Sequence, residues 1–135
     1  MNIKEIQDEI IEDFQFMEDW EDKYQYIIDL GKELPAYPEE FRNEDHKVKG
    51  CISQVWLHAR EEGDAIHFQA DSDAFIPKGL ISLLVRVYSG QDRKEIAATP
   101  PYFIEQIGLG QNLSPSRTNG LYSMVKKIQA IAAGN

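Results

Sequence analysis

The feature that most constrains the fold is a change of hydrophobic periodicity along the chain. Apolar residues recur every three or four positions over residues 3–17 and 20–30, and again after Ser114. This spacing is typical of amphipathic helices. Between these regions, residues 52–60 and 65–70 alternate by face, which is typical of two strands joined by a turn. The pattern predicts an α+β fold, with helices at both chain ends and an antiparallel hairpin between them.

The segments around the hairpin complete this prediction. A short third extended segment at residues 74–77 would make a small three-stranded antiparallel sheet. The apolar run at residues 78–88 is predicted as a buried helix, because its length and four-residue spacings favour a helix over a strand. Two prolines interrupt residues 32–48, which predicts a long loop. Shorter helices are predicted at residues 92–98 and 99–108.

Size and charge exclude several classes of protein. The chain has 135 residues, which fits a single domain over residues 1–135. Its net charge of −9 makes it a poor nucleic-acid binder, since phosphate contacts need clustered lysine and arginine. No apolar run is long enough to cross a membrane and no signal peptide is evident, so the cytoplasm is the expected compartment.

The negative charge is concentrated in the first third of the chain. Residues 1–45 hold 15 acidic against 4 basic side chains, whereas residues 46–135 hold 8 against 10. This acidic third is either a docking face for a basic partner or the solvated side of its helices.

The only cysteine, Cys51, lies between a basic segment and the first predicted strand. A lone cysteine is most often a small buried hydrophobe. However, His46, Lys47 and Lys49 are close in sequence, and any of them near the sulfur would lower the pKa of the thiol. Gly50 permits an unusual backbone turn just before it. This junction of loop and strand is therefore a place to display a nucleophile.

The cysteine and histidine content limits the chemistry. One cysteine excludes an intramolecular dithiol cycle and an iron–sulfur cluster held by this chain alone. His46, His58 and His67 have no familiar metal-ligand spacing with Cys51, so no metal site is expected. A Cys–His hydrolase remains open, since its histidine need only be near in space. A single thiol that accepts a group and hands it on also remains open.

Four segments resemble those of one known family. KVKGCISQVWL, at residues 47–57, resembles the active-site segment of the SufE/CsdE-type sulfur-acceptor proteins, which usually reads V-x-G-C-x-S-Q-V-W. Three more segments are similar to the second helix, the segment after the hairpin and the last helix of that family: YQYIIDLGKELP (24–35), SDAFIPKGLISLL (72–84) and LSPSRTNGLYSMVKKI (113–128). The departures are Ile52, where glutamine is common, and Pro77, where valine is common.

The resemblance implies a function and a fold. Proteins of this family take persulfide sulfur from a pyridoxal-phosphate cysteine desulfurase of the SufS or CsdA type, stimulate that enzyme and pass the sulfur toward iron–sulfur cluster assembly. They share the fold of the IscU scaffold proteins. The resemblance implies that Cys51 carries the persulfide. The pyridoxal phosphate belongs to the partner, so this chain is expected to bind no cofactor. The acidic charge and the lack of a long apolar run give the further expectation that it binds no nucleic acid and no membrane.

The matched segments also suggest supporting residues. Lys49, Gly50, Asp73 and Arg117 are expected to support Cys51 or to contact the desulfurase. In the structural alternative, Asp73 caps a turn, and Arg117 forms a buried ion pair or braces the last helix. The alternative for the whole chain is a non-catalytic adaptor of the desulfurase, in which the cysteine is incidental.

A persulfide is easily lost to stray thiols, which leads to an expectation about geometry. Cys51 should be sheltered against apolar residues at rest and swing out when its donor docks. Trp56, Leu80 and Leu84 are the candidates to line that shelter.

Overall fold

The structure is a computed structural model that describes residues 1–134. It is built from helices at both ends of the chain and a sheet between them, which confirms the predicted α+β class. The elements in chain order are α1 Ile3–Gln15, α2 Trp20–Lys32, β1 Val55–Glu62, β2 Ala65–Ser72, α3 Phe75–Tyr88, β3 Gln91–Asp92, α4 Arg93–Ala98, α5 Phe103–Gln106, α6 Leu109–Asn112 and α7 Pro115–Ala132. Within these residues, no helix is both long and apolar enough to cross a bilayer.

The two N-terminal helices begin at capping side chains. The Asn2 side-chain oxygen accepts a hydrogen bond from the Glu5 amide at 2.8 Å, and a Glu5 carboxylate oxygen accepts one from the Asn2 amide at 3.0 Å. This reciprocal pair satisfies two amides that the first turn of α1 leaves unpaired. Asp19 caps α2 with a single hydrogen bond, in which its side-chain oxygen accepts from the Asp22 backbone amide at 2.9 Å.

The sheet is antiparallel, with strand order β1–β2–β3. β1 and β2 pair from Val55 opposite Ser72 to Glu62 opposite Ala65, and β3 pairs with the start of β2. The three-stranded antiparallel sheet is confirmed, but the predicted position of its third strand at residues 74–77 is wrong. These residues belong to the start of α3, where Pro77 is tolerated because amides of a first helical turn have no intrahelical acceptor.

α3 is the central helix of the molecule. It packs against α1, α2, β2 and α7, and most of its side chains are buried. It therefore supplies core to both the sheet and the terminal helices, as its apolar composition predicts. It begins at Phe75, three residues before the predicted start.

The predicted helix at residues 99–108 and the predicted loop at residues 32–48 differ in detail from the structure. Residues 99–108 do not form one helix: Pro100 and Pro101 delay the start of α5 to Phe103, and Gly108, at φ 78°, separates α5 from α6. The long loop before the sheet is present and contains two short 3₁₀ turns, Glu39–Phe41 and Glu44–His46.

Arg42 fastens this long loop to the sheet. Its guanidinium lies 5.3 Å from the Tyr37 ring centre and 4.9 Å from that of Trp56, and it donates to an Asp71 carboxylate oxygen at 2.7 Å. Stacking on two aromatic rings and a charge-assisted hydrogen bond together hold the chain just ahead of Cys51 against β1 and β2.

Candidate functional site

The segment from Lys49 to Gln54, here called the cysteine loop, leads into β1. It is anchored before its start, where the Val48 amide donates to the Val55 carbonyl at 2.8 Å. β1 begins at Val55 and not at residue 52 as predicted. The cysteine thus lies within an irregular loop whose two ends are brought together by the sheet.

Gly50 is required by the path of this loop. Its φ of 93° lies in the left-handed region, which side chains rarely adopt. A Cβ atom at this position would also lie 2.5 Å from the Ser123 hydroxyl oxygen on α7. Backbone conformation and close contact with α7 therefore both favour glycine beside the cysteine.

Cys51 is half-buried against α7. Its Sγ donates to the Gly120 carbonyl oxygen at 3.5 Å, and a Cβ atom placed on Gly120 would lie 3.4 Å from the same sulfur. The sulfur therefore occupies the space left where α7 has no side chain.

A cavity of about 360 Å³ opens beside the sulfur. Its lining combines apolar side chains from α3 and α7 with polar groups at the start of α7: Cys51, Ile52, Ser53, Pro77, Leu80, Ser114, Ser116, Arg117, Gly120 and Met124. The expected apolar shelter is present. It leaves one side of the thiol open to a reagent.

Of the three residues expected to line this shelter, Leu80 does so and the other two do not. The prediction for Trp56 is wrong because alternation along β1 turns it toward Arg42 instead. The prediction for Leu84 is wrong because it is fully buried in the core, one turn of α3 further along.

The thiol environment differs from the one that the neighbouring cations suggested. Burial raises the pKa of the Cys51 thiol. Lys47 forms an ion pair with Glu44 at 2.6 Å, and Lys49 lies 3.9 Å from the other oxygen of that carboxylate. The Nδ1 atom of His46 is hydrogen-bonded to the Asn43 side-chain oxygen at 2.8 Å. The buried position therefore favours the protonated thiol, which is the weaker nucleophile.

None of the three imidazoles is placed to activate the sulfur. His58 stacks on Phe41, His46 lies beside both rings, and His67 faces Glu62 at 3.2 Å. No histidine lines the cavity of Cys51 or hydrogen-bonds to its sulfur. The arrangement lacks the general base that a Cys–His hydrolase needs.

Asp73 holds the end of the cysteine loop. One of its carboxylate oxygens accepts a hydrogen bond from the Gln54 backbone amide at 3.0 Å, and the other accepts one from the Gln54 side-chain amide at 3.3 Å. The Asp73 amide and the Ser72 hydroxyl both donate to the Gln54 carbonyl. Asp73 is thus brought to the loop, next to β2, where it sets the position at which the loop becomes a strand.

Arg117 and Lys49 lie at the rim of the site. Arg117 is exposed in the first turn of α7 and lines the cavity of Cys51. It forms no ion pair within residues 1–134, so the buried pair considered for it is absent from the described chain. Its amide donates to the Ser114 hydroxyl, which caps α7. The Lys49 side chain is 80% exposed.

Comparison with known proteins identifies the family. The sequence model of the SufE family, described as an Fe–S metabolism associated domain, matches residues 8–132. The chain belongs to the SufE family. It therefore has a role in sulfur transfer for iron–sulfur metabolism.

Individual SufE relatives agree with this assignment. The chain is 50% identical over 127 residues to an uncharacterized SufE-like protein of Rhizobium etli, covering 90% of this chain and 86% of that protein. It is 44% identical over 132 residues to an uncharacterized SufE-like protein of Rhizobium meliloti, covering 94% of each. It is 41% identical over 122 residues to SufE-like protein 1, chloroplastic/mitochondrial, of Arabidopsis thaliana, covering 90% of this chain and 33% of that protein.

A solved structure supports the SufE-like fold. The solution structure of a hypothetical protein from Thermus thermophilus superimposes with a TM-score of 0.79 at 22% identity, covering 96% of this chain and 94% of that one. The likeness extends over nearly the whole chain and shows that the fold is shared.

Sequence reasoning predicted Arg117 on α7 but missed the other residues that α7 contributes to this SufE site. Gly120 leaves the space that the Cys51 sulfur occupies, and Met124 lines the cavity, but neither residue was predicted at the site. One signal was available, because a glycine inside a helix costs about 1 kcal/mol relative to alanine and usually has a packing reason. Within residues 1–134, no cluster of three or more metal-ligating side chains occurs.

Proposed function

We propose that this chain is a sulfur acceptor and carrier in which Cys51 takes persulfide sulfur from a cysteine desulfurase of the SufS or CsdA type. It passes the sulfur toward iron–sulfur cluster assembly and raises the turnover of the desulfurase, acting as one sulfur-acceptor domain over residues 1–135. One observation carries the proposal: in a SufE-family chain, the only thiol sits in a half-open apolar cavity on a loop anchored at both ends.

The transfer step is a thiol–persulfide exchange. Cys51 loses its proton to solvent, and the resulting thiolate attacks the outer sulfur of the desulfurase persulfide. A new sulfur–sulfur bond forms to Cys51 while the old one breaks, and its electron pair leaves on the desulfurase cysteine. The exchange needs no added oxidant or reductant, because one persulfide replaces another.

In this proposal the cavity protects the Cys51 sulfur at rest, and movement of the cysteine loop brings the sulfur to the desulfurase. Pro77, Leu80 and Met124 cover one side of the sulfur and reduce its access to stray thiols. Delivery requires the hydrogen bond from Sγ to Gly120 to break and the cysteine loop to move outward on docking. Removal of the thiol from its buried position also lowers its pKa toward the ordinary value, which favours the attacking thiolate.

The proposal assigns the pyridoxal phosphate to the desulfurase and no cofactor to this chain. It places the chain in the cytoplasm, where a free thiol stays reduced. Its partners are the desulfurase and a downstream scaffold or sulfur acceptor.

The test is sulfur loading by the cognate cysteine desulfurase. We expect incubation with the desulfurase and cysteine to add one sulfur atom to Cys51 by mass spectrometry, and to raise desulfurase turnover. Cys51→Ser should lose both effects while it keeps the circular dichroism spectrum and melting temperature of the wild type. Absence of added sulfur on wild-type Cys51 would contradict the proposal. Full stimulation by Cys51→Ala would favour the adaptor alternative instead.

A further inference from the structure

A second hollow lies between the start of the cysteine loop and α7. It has a volume of about 280 Å³ and is lined by Val48 and Lys49 before the cysteine, and by Ser123, Lys126 and Lys127 on α7. Three of these five side chains are lysines, and none is a carboxylate. We call this surface the lysine hollow.

The lysine hollow is electrostatically unusual for this chain. The whole chain has a net charge of −9. Lys126 is exposed and Lys127 half-exposed, and neither forms an ion pair within residues 1–134. Lys49 has one distant partner, Glu44, at 3.9 Å. Lys126 and Lys127, which have no ion-pair partner among the described residues, produce a local positive potential, which attracts an anionic group even to an acidic protein.

The lysine hollow lies close to the transfer site. Ser123, in its wall, lies against Gly50, and Lys49 is two residues before the reactive cysteine. A partner that reaches Cys51 therefore approaches the lysine hollow as well.

Exposed apolar side chains occur in the same area. Ile52, on the rim of the Cys51 cavity, is 84% exposed. Tyr122, 45% exposed, lies one helical turn before Lys126 on the surface of α7. Apolar anchors bordered by charges are the usual composition of a protein–protein interface.

We propose that the lysine hollow docks an acidic segment of the cysteine desulfurase and steers that enzyme toward Cys51. This inference rests on the proposed function, since it takes the desulfurase as the partner. The occupant is an acidic polypeptide and not a nucleic acid, because the acidic first third of the chain repels an extended polyanion. Its lysines act mainly on the rate of encounter, as exposed interface charges do.

The test compares two charge-reversal pairs. Lys126→Glu with Lys127→Glu reverses the lysine hollow, whereas Lys32→Glu with Lys94→Glu makes the same change of net charge on exposed lysines of α2 and α4. Association rates with the cognate desulfurase are measured by stopped flow at several salt concentrations. We expect the first pair to associate about tenfold more slowly than wild type at low salt, with the difference vanishing at high salt. The control pair should stay close to the wild-type rate.

Two further measurements separate docking from damage to the site. Alkylation of Cys51 by iodoacetamide, which is uncharged, should proceed at the wild-type rate in the Lys126/Lys127 variant. The glutamine versions of both lysines should associate at an intermediate rate.

The outcomes distinguish this inference from the proposed function. Equal slowing by both charge-reversal pairs would show an effect of net charge and overturn the inference. A wild-type rate and salt dependence in the Lys126/Lys127 variant would also overturn it, while sulfur loading of wild-type Cys51 would leave the proposed function standing. Failure of wild-type Cys51 to accept sulfur would contradict both the proposed function and this inference.

Discussion

The cysteine loop and the β1–β2 hairpin that follows it are adjacent in sequence but held in different ways. The hairpin is paired along its full length, and Leu57 and Ile66 are almost completely buried. The loop is held by the Gln54–Asp73 contacts and by the weak hydrogen bond from Sγ to Gly120. A firmly paired hairpin beside a loop held by few contacts is the arrangement that the proposed sulfur carrier needs, because such a loop is expected to open more easily than the hairpin.

The largest expected difference between the two regions is in stability. Ile66→Ala removes a side chain with 0% exposure from β2 and should lower the free energy of unfolding by about 2–5 kcal/mol. Ile52→Ala removes the same side chain at 84% exposure from the loop and should change it by less than about 0.5 kcal/mol. Urea unfolding of both variants measures the two values. Similar losses from both would show that the loop is packed as firmly as the hairpin.

A smaller effect is expected from loosening the loop. Asp73→Ala removes both side-chain acceptors for Gln54, each contributing about 0.5 kcal/mol, so alkylation of Cys51 by iodoacetamide should become about three- to tenfold faster. Asp64→Ala, in the hairpin turn, makes the same change of charge away from the loop and should leave the rate unchanged. An unchanged rate in Asp73→Ala would mean that these contacts do not limit opening.

The smallest effect is expected in the pH dependence of the thiol. Because burial raises the pKa of Cys51, the alkylation rate of the folded chain should reach its midpoint at a higher pH than that of the chain in denaturant. By linkage, the stability from the buried thiol is complete below the unfolded pKa and is lost as the pH rises through the folded one.

Stopped-flow alkylation across the alkaline range measures both midpoints. A folded midpoint below the denatured one would show that Lys47, Lys49 or His46 acts on the sulfur after all. Asp73→Ala should move the folded midpoint toward that of the denatured chain, since the thiol then spends more time in water.

Much of the fold was predictable because its signals are local. The helical stripes, the Asn2–Glu5 capping pair and the alternation along the hairpin each lie within a few residues, and the structure contains all of them. The third strand was misplaced because its pairing with β2 depends on where the chain returns after α3, which no local pattern states.

The candidate site was predictable in part for the same reason. Gly50 and Cys51 stand in one segment, and Asp73 joins them because the hairpin register brings it back beside Gln54. Arg117 on α7 was predicted from a matched motif, but the contacts of Gly120 and Met124 were not, since they depend on how a distant helix packs over the loop.

The sequence by itself determined the single candidate for the reactive residue, Cys51, and the family to which the chain belongs. A single thiol and four ordered motifs are properties of the sequence that do not depend on its conformation. Only the tertiary structure decided the state of that thiol. Gly120, 69 residues further along, covers the sulfur and accepts its hydrogen bond, while the lysine nearest to it in sequence lies toward Glu44. Desolvation depends on what packs over the sulfur, so the pKa rises where sequence neighbours alone suggested a fall.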